Sequence, residues 1–168
     1  PALAGRDRRD TLISIRVASA RGLRRLCAAA LDHAAAERLS RVTAVHRAAL
    51  LRRADGEFLR AFREEAARHP GLETREMGAF EAVETLLRAP GRYESLAASG
   101  AAFEALWAPA VWLAGGAARA AYAELGEGGG VFQPVHGPGL RFEPKERANP
   151  TAMIRAGALL LEWLGESE

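Results

Sequence analysis

Apolar residues recur every three to four positions over much of the chain, which is the spacing of helices with one buried face. This pattern predicts helices over 19–37, 55–68 and 79–88. An alanine-rich stretch over 101–124 is also predicted to be helical, with a break near Pro109. These four segments are the helices that the pattern predicts within residues 1–124.

The last predicted helix has the clearest signals at its ends. Asn149 is its predicted N-cap, Pro150 its first helical residue and Gly165 its C-terminal stop. Apolar residues surround this helix on nearly every side, and Arg155 and Glu162 are its two charged residues. A helix of this kind is predicted to be largely buried.

Short β-prone runs alternate with the helices. Residues 41–46, 73–77 and 131–135 are predicted strands, whereas 91–100 has no clear preference. The glycine-rich run at 126–130 is a predicted turn. Strands that alternate with helices indicate an α/β fold.

The composition is typical of a folded protein that does not enter the membrane. Of the 168 residues, 49% are hydrophobic, and the formal net charge is only +2. No apolar run reaches the roughly 18 residues that span a bilayer, and the N-terminus lacks an apolar signal sequence. We therefore expect a cytoplasmic protein. The single cysteine, Cys27, excludes a disulfide framework within the chain.

The basic residues are concentrated in residues 1–25. No aromatic residue interrupts this stretch, so it offers no surface on which a base could stack. We interpret these arginines as a solvated helix face and predict no nucleic-acid partner.

Aspartate is scarce in this sequence. The chain has four aspartates, and Asp55 is the last of them, so about two thirds of the sequence contains none. Magnesium is usually held by carboxylate oxygens. A magnesium site built from residues 56–168 would therefore lack its commonest ligand.

One segment near the C-terminus carries a recognisable motif. The run VFQPVHG ends at Gly137, and Ala-Asn-Pro at 148–150 completes the next thirteen residues. This arrangement resembles the C-terminal part of the β-decarboxylating dehydrogenases, the family of isocitrate, isopropylmalate and homoisocitrate dehydrogenases. Upstream, VTAVHRA at 42–48 and ADGEFL at 54–59 are similar to family segments at consistent spacing.

The resemblance covers about 150 residues and implies a particular fold. It implies an α/β protein with a truncated isocitrate/isopropylmalate dehydrogenase fold that lacks the N-terminal half of the nucleotide-binding domain. Residues 1–105 would form a dimerisation and small-domain-like part. Residues 106–168 would form a remnant of the large, nucleotide-binding domain.

The resemblance also implies changes at catalytic positions. The family lysine that exchanges a proton corresponds to Arg47, and the asparagine two residues later corresponds to Ala49. The metal-binding aspartates correspond to Phe80, Glu104 and Ala108. Arginine keeps its proton at any ordinary pH, and a divalent metal needs several carboxylate oxygens. We therefore predict a pseudoenzyme with no catalytic residue, no metal and no cofactor.

A further group of residues matches family positions near the bound dinucleotide. His136 and Asn149 are retained there, while Arg141 replaces the acidic residue that would meet the ribose hydroxyls. Together with Arg47, these are candidate contacts for a nucleotide or another anion. The alternative is that His136 and Asn149 act as turn and helix-cap residues.

Members of this family work as dimers, and the resemblance implies that the helices at 53–68 and 79–88 form the helix-bundle interface. We therefore predict a non-catalytic regulatory subunit that binds a full-length dehydrogenase of this family, with isocitrate dehydrogenase as the expected partner and a small molecule as a candidate effector. The predicted interface is an apolar stripe on both helices: Phe58, Leu59, Phe62, Ala66, Phe80, Val83, Leu86 and Leu87.

Three alternatives stay open from the sequence. The chain could be a stand-alone sensor for an anionic metabolite or nucleotide, held by Arg47, His136, Arg141 and Asn149. It could be an enzyme with residual or altered chemistry. It could also be part of a longer protein.

Overall fold

The computed structural model describes residues 12, 14–137 and 148–166. They form an α/β structure, which confirms the predicted fold class. None of the described helices is long and apolar enough to cross a membrane. The helices are α1 (Ala20–Ala36), α2 (Arg52–Ala66), α3 (Ala79–Arg88), α4 (Gly100–Leu113) and α5 (Thr151–Leu164), and the strands are β1 (Arg41–His46), β2 (Glu73–Gly78), β3 (Ser95–Ala98), β4 (Ala121–Leu125) and β5 (Gly130–Pro134).

Strand β1 lies at the centre of a three-stranded parallel sheet with the order β2-β1-β3. Val42 is paired with Thr74 of β2 and with Ser95 of β3. The four interior residues of β1 are buried. A strand that is covered on both faces reads as a continuous run of small and β-branched residues rather than as an alternating pattern.

Helices cover both faces of this sheet. Helices α1 and α2 pack on the face of β1 that carries Val42 and Ala44, and they form the larger core with Phe58 and Phe62. Helices α3 and α4 pack on the opposite face around Val45. Because successive strand residues point to opposite faces, β1 contributes side chains to both cores.

The last three elements form a smaller unit. Strands β4 and β5 are an antiparallel hairpin, and α5 packs on the face that carries Phe132. There the ring of Phe132 lies 5.7 Å from that of Trp163, centroid to centroid. Tyr122, on the opposite face of the hairpin, contacts Trp107 of α4 edge to face. Helix α4 itself packs on α3. Because α4 runs from Gly100 to Leu113, the predicted domain division at 105/106 would cut through this helix.

The structure corrects two of the predicted elements and adds a strand in a segment that the sequence leaves unassigned. Residues 121–125 form strand β4 rather than the end of a helix, because the chain turns at 115–116 and then pairs with β5. Helix α4 runs through Pro109 without the predicted break. Residues 95–98, which have no clear preference in the sequence, form a strand because β1 offers them an edge to pair with.

The ends of α5 agree closely with the sequence. Pro150 rather than Asn149 is the N-cap residue, but the Asn149 side chain still accepts a hydrogen bond from the Thr151 N–H at 3.0 Å. Gly165 ends the helix with φ at 88°, a left-handed conformation that glycine adopts without steric cost. The predicted end signals therefore hold to within one residue.

The predicted burial of α5 is wrong for the described structure. Ala152 and Ala156 are buried, because they face the hairpin. A two-stranded hairpin covers one side of a helix, so the other apolar side chains lie open. The exposed large apolar residues of α5 are Met153, Ile154, Leu160, Leu161, Trp163 and Leu164.

The contrast between Phe62 and Phe80 gives a test of the described core. The Phe62 side chain is 1% exposed, whereas that of Phe80 is 95% exposed. We expect Phe62→Ala to lower the free energy of unfolding by about 3–5 kcal/mol, because it leaves a cavity between α2 and the sheet. Phe80→Ala should change it by no more than about 0.5 kcal/mol. Urea unfolding of both variants is the measurement, and equal losses would contradict this placement.

The single cysteine provides a second test, through pH. Burial, aided by the Glu65 carboxylate, raises the pKa of the Cys27 thiol to about 11 from its ordinary value of 9.0. The folded state therefore holds this proton more tightly than the unfolded state, and the associated stability is lost as pH rises from 9 towards 11. A pKa difference of this size corresponds to about 2–3 kcal/mol.

Denaturant unfolding of wild type and Cys27→Ala at pH 8 and above isolates the contribution of this thiol. The two proteins should differ by a constant amount below pH 9, and the wild type should lose stability more steeply above it. Parallel pH profiles would show that Cys27 is not buried as described.

Candidate functional site

The carboxyl end of β1 is organised by a buried aspartate. Asp55, in the first turn of α2, is 3% exposed, and its Oδ2 accepts a hydrogen bond from the backbone N–H of Arg47 at 2.5 Å. His46 accepts a second one at Nδ1, from the N–H of Ala48 at 3.2 Å. These two bonds fix the backbone of the turn between β1 and α2.

Arg47 therefore has a fixed backbone and a partly exposed side chain at the end of the central strand. A guanidinium group here can bind a carboxylate or a phosphate, since it offers several N–H donors in one plane. It cannot accept a proton at ordinary pH, so it cannot replace a lysine that acts as a base.

The three positions that the resemblance assigns to metal-binding aspartates do not form a carboxylate cluster. Phe80 is 95% exposed at the start of α3, and Ala108 is an exposed residue of α4. Glu104 is the one carboxylate, and its Oε1 accepts a hydrogen bond from Nη2 of Arg16 at 2.6 Å. Within the described ranges, no group of three His, Cys, Asp or Glu side chains could hold a metal ion. These residues do not fit a divalent cation.

The predicted anion contacts lie in different parts of the chain. Arg47 follows β1, whereas His136 follows β5 and Asn149 precedes α5. His136 Nδ1 lies 2.8 Å from the carbonyl oxygen of Gly137, and its buried Nε2 has no hydrogen-bond partner among the described residues. Arg141 lies outside the described residues.

The side-chain oxygen of Asn149 already forms hydrogen bonds with a neighbouring residue. Its Oδ1 accepts hydrogen bonds from the N–H of Thr151 at 3.0 Å and from the Thr151 hydroxyl at 2.6 Å. These contacts agree with the alternative considered from the sequence, in which asparagine is kept as a helix-cap residue.

The predicted interface stripe divides into three groups by burial. Phe58, Leu59 and Phe62 of α2 are buried in the core of the chain itself, as is Leu86 of α3. They cannot contact a partner directly, so this part of the prediction is wrong. Ala66 and Val83 are partly buried against the same cores. Phe80 and Leu87 are exposed, at 95% and 58%.

Helical phase explains this division. Phe80 and Leu87 are seven residues apart, so they lie on the same side of α3, two turns from one another. Ala82 and Leu86 face the sheet. The spacing of apolar residues shows that α3 has apolar side chains on more than one side, but only the packing shows which side is covered.

Two features of this region are not among the sequence-based predictions. Helix α4 exposes Phe103, Trp112 and Leu113, so that α3 and α4, which pack together, both carry exposed apolar residues. The other feature is the ion pair between Arg16 and Glu104, which are 88 residues apart. Because α4 is apolar on nearly every side, the sequence does not show which of its side chains are exposed, and no local pattern indicates the ion pair.

Comparison with known proteins identifies the family. The family described as isocitrate/isopropylmalate dehydrogenase matches residues 4–168. The 3-isopropylmalate dehydrogenase of Methanothermobacter thermautotrophicus is 30% identical over 93% of this chain and 47% of its own length. A mitochondrial regulatory subunit of NAD isocitrate dehydrogenase from Dictyostelium discoideum is 26% identical over 90% of this chain and 43% of its own length.

The fold gives the same result. The crystal structure of isocitrate dehydrogenase from Methylococcus capsulatus superposes with a TM-score of 0.84 and 34% identity, over 92% of this chain and 46% of that one. The chain thus spans about half the length of the curated relatives that it matches. The resemblance stated from the C-terminal motif is confirmed, and the chain belongs to the isocitrate/isopropylmalate dehydrogenase family.

Proposed function

We propose that this chain is a non-catalytic subunit that binds a full-length isocitrate dehydrogenase and modulates its activity. The observation that carries the proposal is the set of residues at the three family metal positions. They are Phe80, Glu104 and Ala108, and Glu104 is bound to Arg16.

The chemistry of the family reaction supports a non-catalytic role. Oxidation of a 2-hydroxy acid followed by loss of carbon dioxide requires a metal that holds the hydroxyl and the carboxylate and then polarises the new carbonyl. A single carboxylate in an ion pair does not hold such a metal. Arg47 cannot exchange the proton that the family lysine exchanges. The metal and the lysine have different roles in the same reaction, and the residues for both roles are replaced here.

The surface of α3 supports a protein partner. Phe80, at a position where the resemblance implies a metal ligand, is a fully exposed aromatic side chain, and Leu87 extends the same side of the helix. An exposed apolar patch of this kind is typical of a protein contact. One relative, from Dictyostelium discoideum, is itself named as a regulatory subunit of NAD isocitrate dehydrogenase.

Regulation requires that the regulatory chain bind two states of its partner with different affinity. A surface on α3 can meet this condition only if the partner's matching surface changes between those states. A small-molecule effector at Arg47 is compatible with this arrangement, because its side chain lies at the end of β1, near the strand that leads to α3.

The test is a binding and activity measurement with purified proteins. The chain is mixed with full-length isocitrate and isopropylmalate dehydrogenases from its own source, and native mass and kcat/KM are recorded. We expect a hetero-oligomer with isocitrate dehydrogenase and a changed kcat/KM. No complex with either enzyme, or a complex with unchanged kinetics, would contradict the proposal.

Substitution on the surface of α3 sharpens this test. We expect Phe80→Glu to weaken the complex by at least about 30-fold, the size of effect that removal of a central aromatic contact produces. Ile154→Glu is the matched control, because Ile154 is also apolar and 67% exposed but lies on α5. If both variants weaken binding equally, α3 is not the contact surface.

A further inference from the structure

The ion pair between Arg16 and Glu104 joins two distant segments. Arg16 lies in the extended segment 14–19 that leads into α1, and Glu104 lies in the second turn of α4. Their side chains are 50% and 65% exposed, and the N–O distance is 2.6 Å. The apolar side chains of the segment do not anchor it to the rest of the described structure, since Ile15 and Val17 are 84% and 86% exposed.

The start of α4 makes room for this arginine. Gly100 has φ at 51°, and a Cβ atom there would lie 3.2 Å from Nη1 and 3.6 Å from Cδ of Arg16. A side chain at position 100 would therefore crowd the guanidinium, and it would also be strained by the left-handed backbone. Arg16 thus packs across Gly100 and reaches Glu104, one helical turn further along α4.

The charge of this ion pair affects whether a divalent metal can bind at Glu104. Glu104 is the one carboxylate among the three family metal positions, and a guanidinium already neutralises it. A divalent cation would have to displace Arg16, yet Phe80 and Ala108 offer no oxygen in return. Arginine carries its positive charge at every ordinary pH, so it supplies this charge without a metal.

We infer that Arg16 is a built-in cation at Glu104, which replaces a divalent metal at this position and holds segment 14–19 to α4. The pair is exposed, so it contributes little to global stability. Its effect is local: it orders a segment whose apolar side chains are exposed. The inference rests on the same three positions as the proposed non-catalytic role but needs no partner, so a metal bound at Glu104 and the absence of a complex are separate outcomes.

The first measurement asks whether a metal binds. Wild-type protein and Glu104→Gln are titrated with Mn²⁺, and the spectrum of free Mn²⁺ is followed by electron paramagnetic resonance. We expect the same free signal with both proteins up to millimolar metal. A wild-type site that depletes free Mn²⁺ and is absent from Glu104→Gln would overturn the inference.

The second measurement asks whether the two residues act as a pair. The backbone mobility of residues 15–19 is measured by the ¹H–¹⁵N heteronuclear NOE for wild type, Arg16→Gln, Glu104→Gln and the double variant. We expect each single variant to lower the NOE at these residues and the double variant to lower it no further, because both remove the same contact. A further drop in the double variant, or no drop in either single variant, would overturn the inference.

Two further variants separate this role from a general loss of structure. Arg16→Lys keeps the charge and should retain part of the wild-type NOE at residues 15–19, although it loses the planar fork. Arg88→Gln is the matched control, because it removes another exposed pair, with Glu84 at 3.3 Å, that lies within one helix. If Arg88→Gln lowers the NOE at 15–19 as much as Arg16→Gln does, the effect is not specific to the Arg16–Glu104 pair.

Discussion

The burial of β1 between two helical layers is the constraint on which the rest of this structure depends. Val42 and Ala44 enter the core with α1 and α2, while Val45 enters the core with α3 and α4. Strands β2 and β3 each pair with β1 and not with one another. The strand therefore fixes both helical layers and both edge strands. It also sets the position of Arg47, which directly follows it.

Most of this architecture can be predicted from the sequence, because local signals and burial agree in it. Ser19 caps α1 as predicted, with its hydroxyl accepting from the Gly22 N–H at 3.1 Å. Strand β3 could not be predicted, since its residues, Ser-Leu-Ala-Ala, become a strand only when β1 lies beside them. For the same reason the sequence predicts a helix where β4 forms: its alanines favour a helix, but the partner strand decides.

The candidate site divides along the same line. The identity of a residue at a family position can be read from the sequence, as for Arg47 and Phe80. The sequence does not show whether an apolar side chain lies in a core or on a surface, because Phe62 and Phe80 differ only in what packs on them. The Arg16–Glu104 pair is equally invisible in the sequence, since it joins residues that are 88 positions apart. Such contacts form only in the folded chain and are not indicated by any periodic pattern in the sequence.

The bond between Asp55 and residue 47 has a consequence for how this family can change. The aspartate binds the backbone N–H of residue 47 and makes no use of its side chain. Any amino acid except proline supplies that N–H, so this bond places no demand on which side chain stands at position 47. Selection for stability and selection for chemistry are therefore separable at this position. A lineage can exchange a reactive side chain here for another without first having to tolerate a misfolded intermediate.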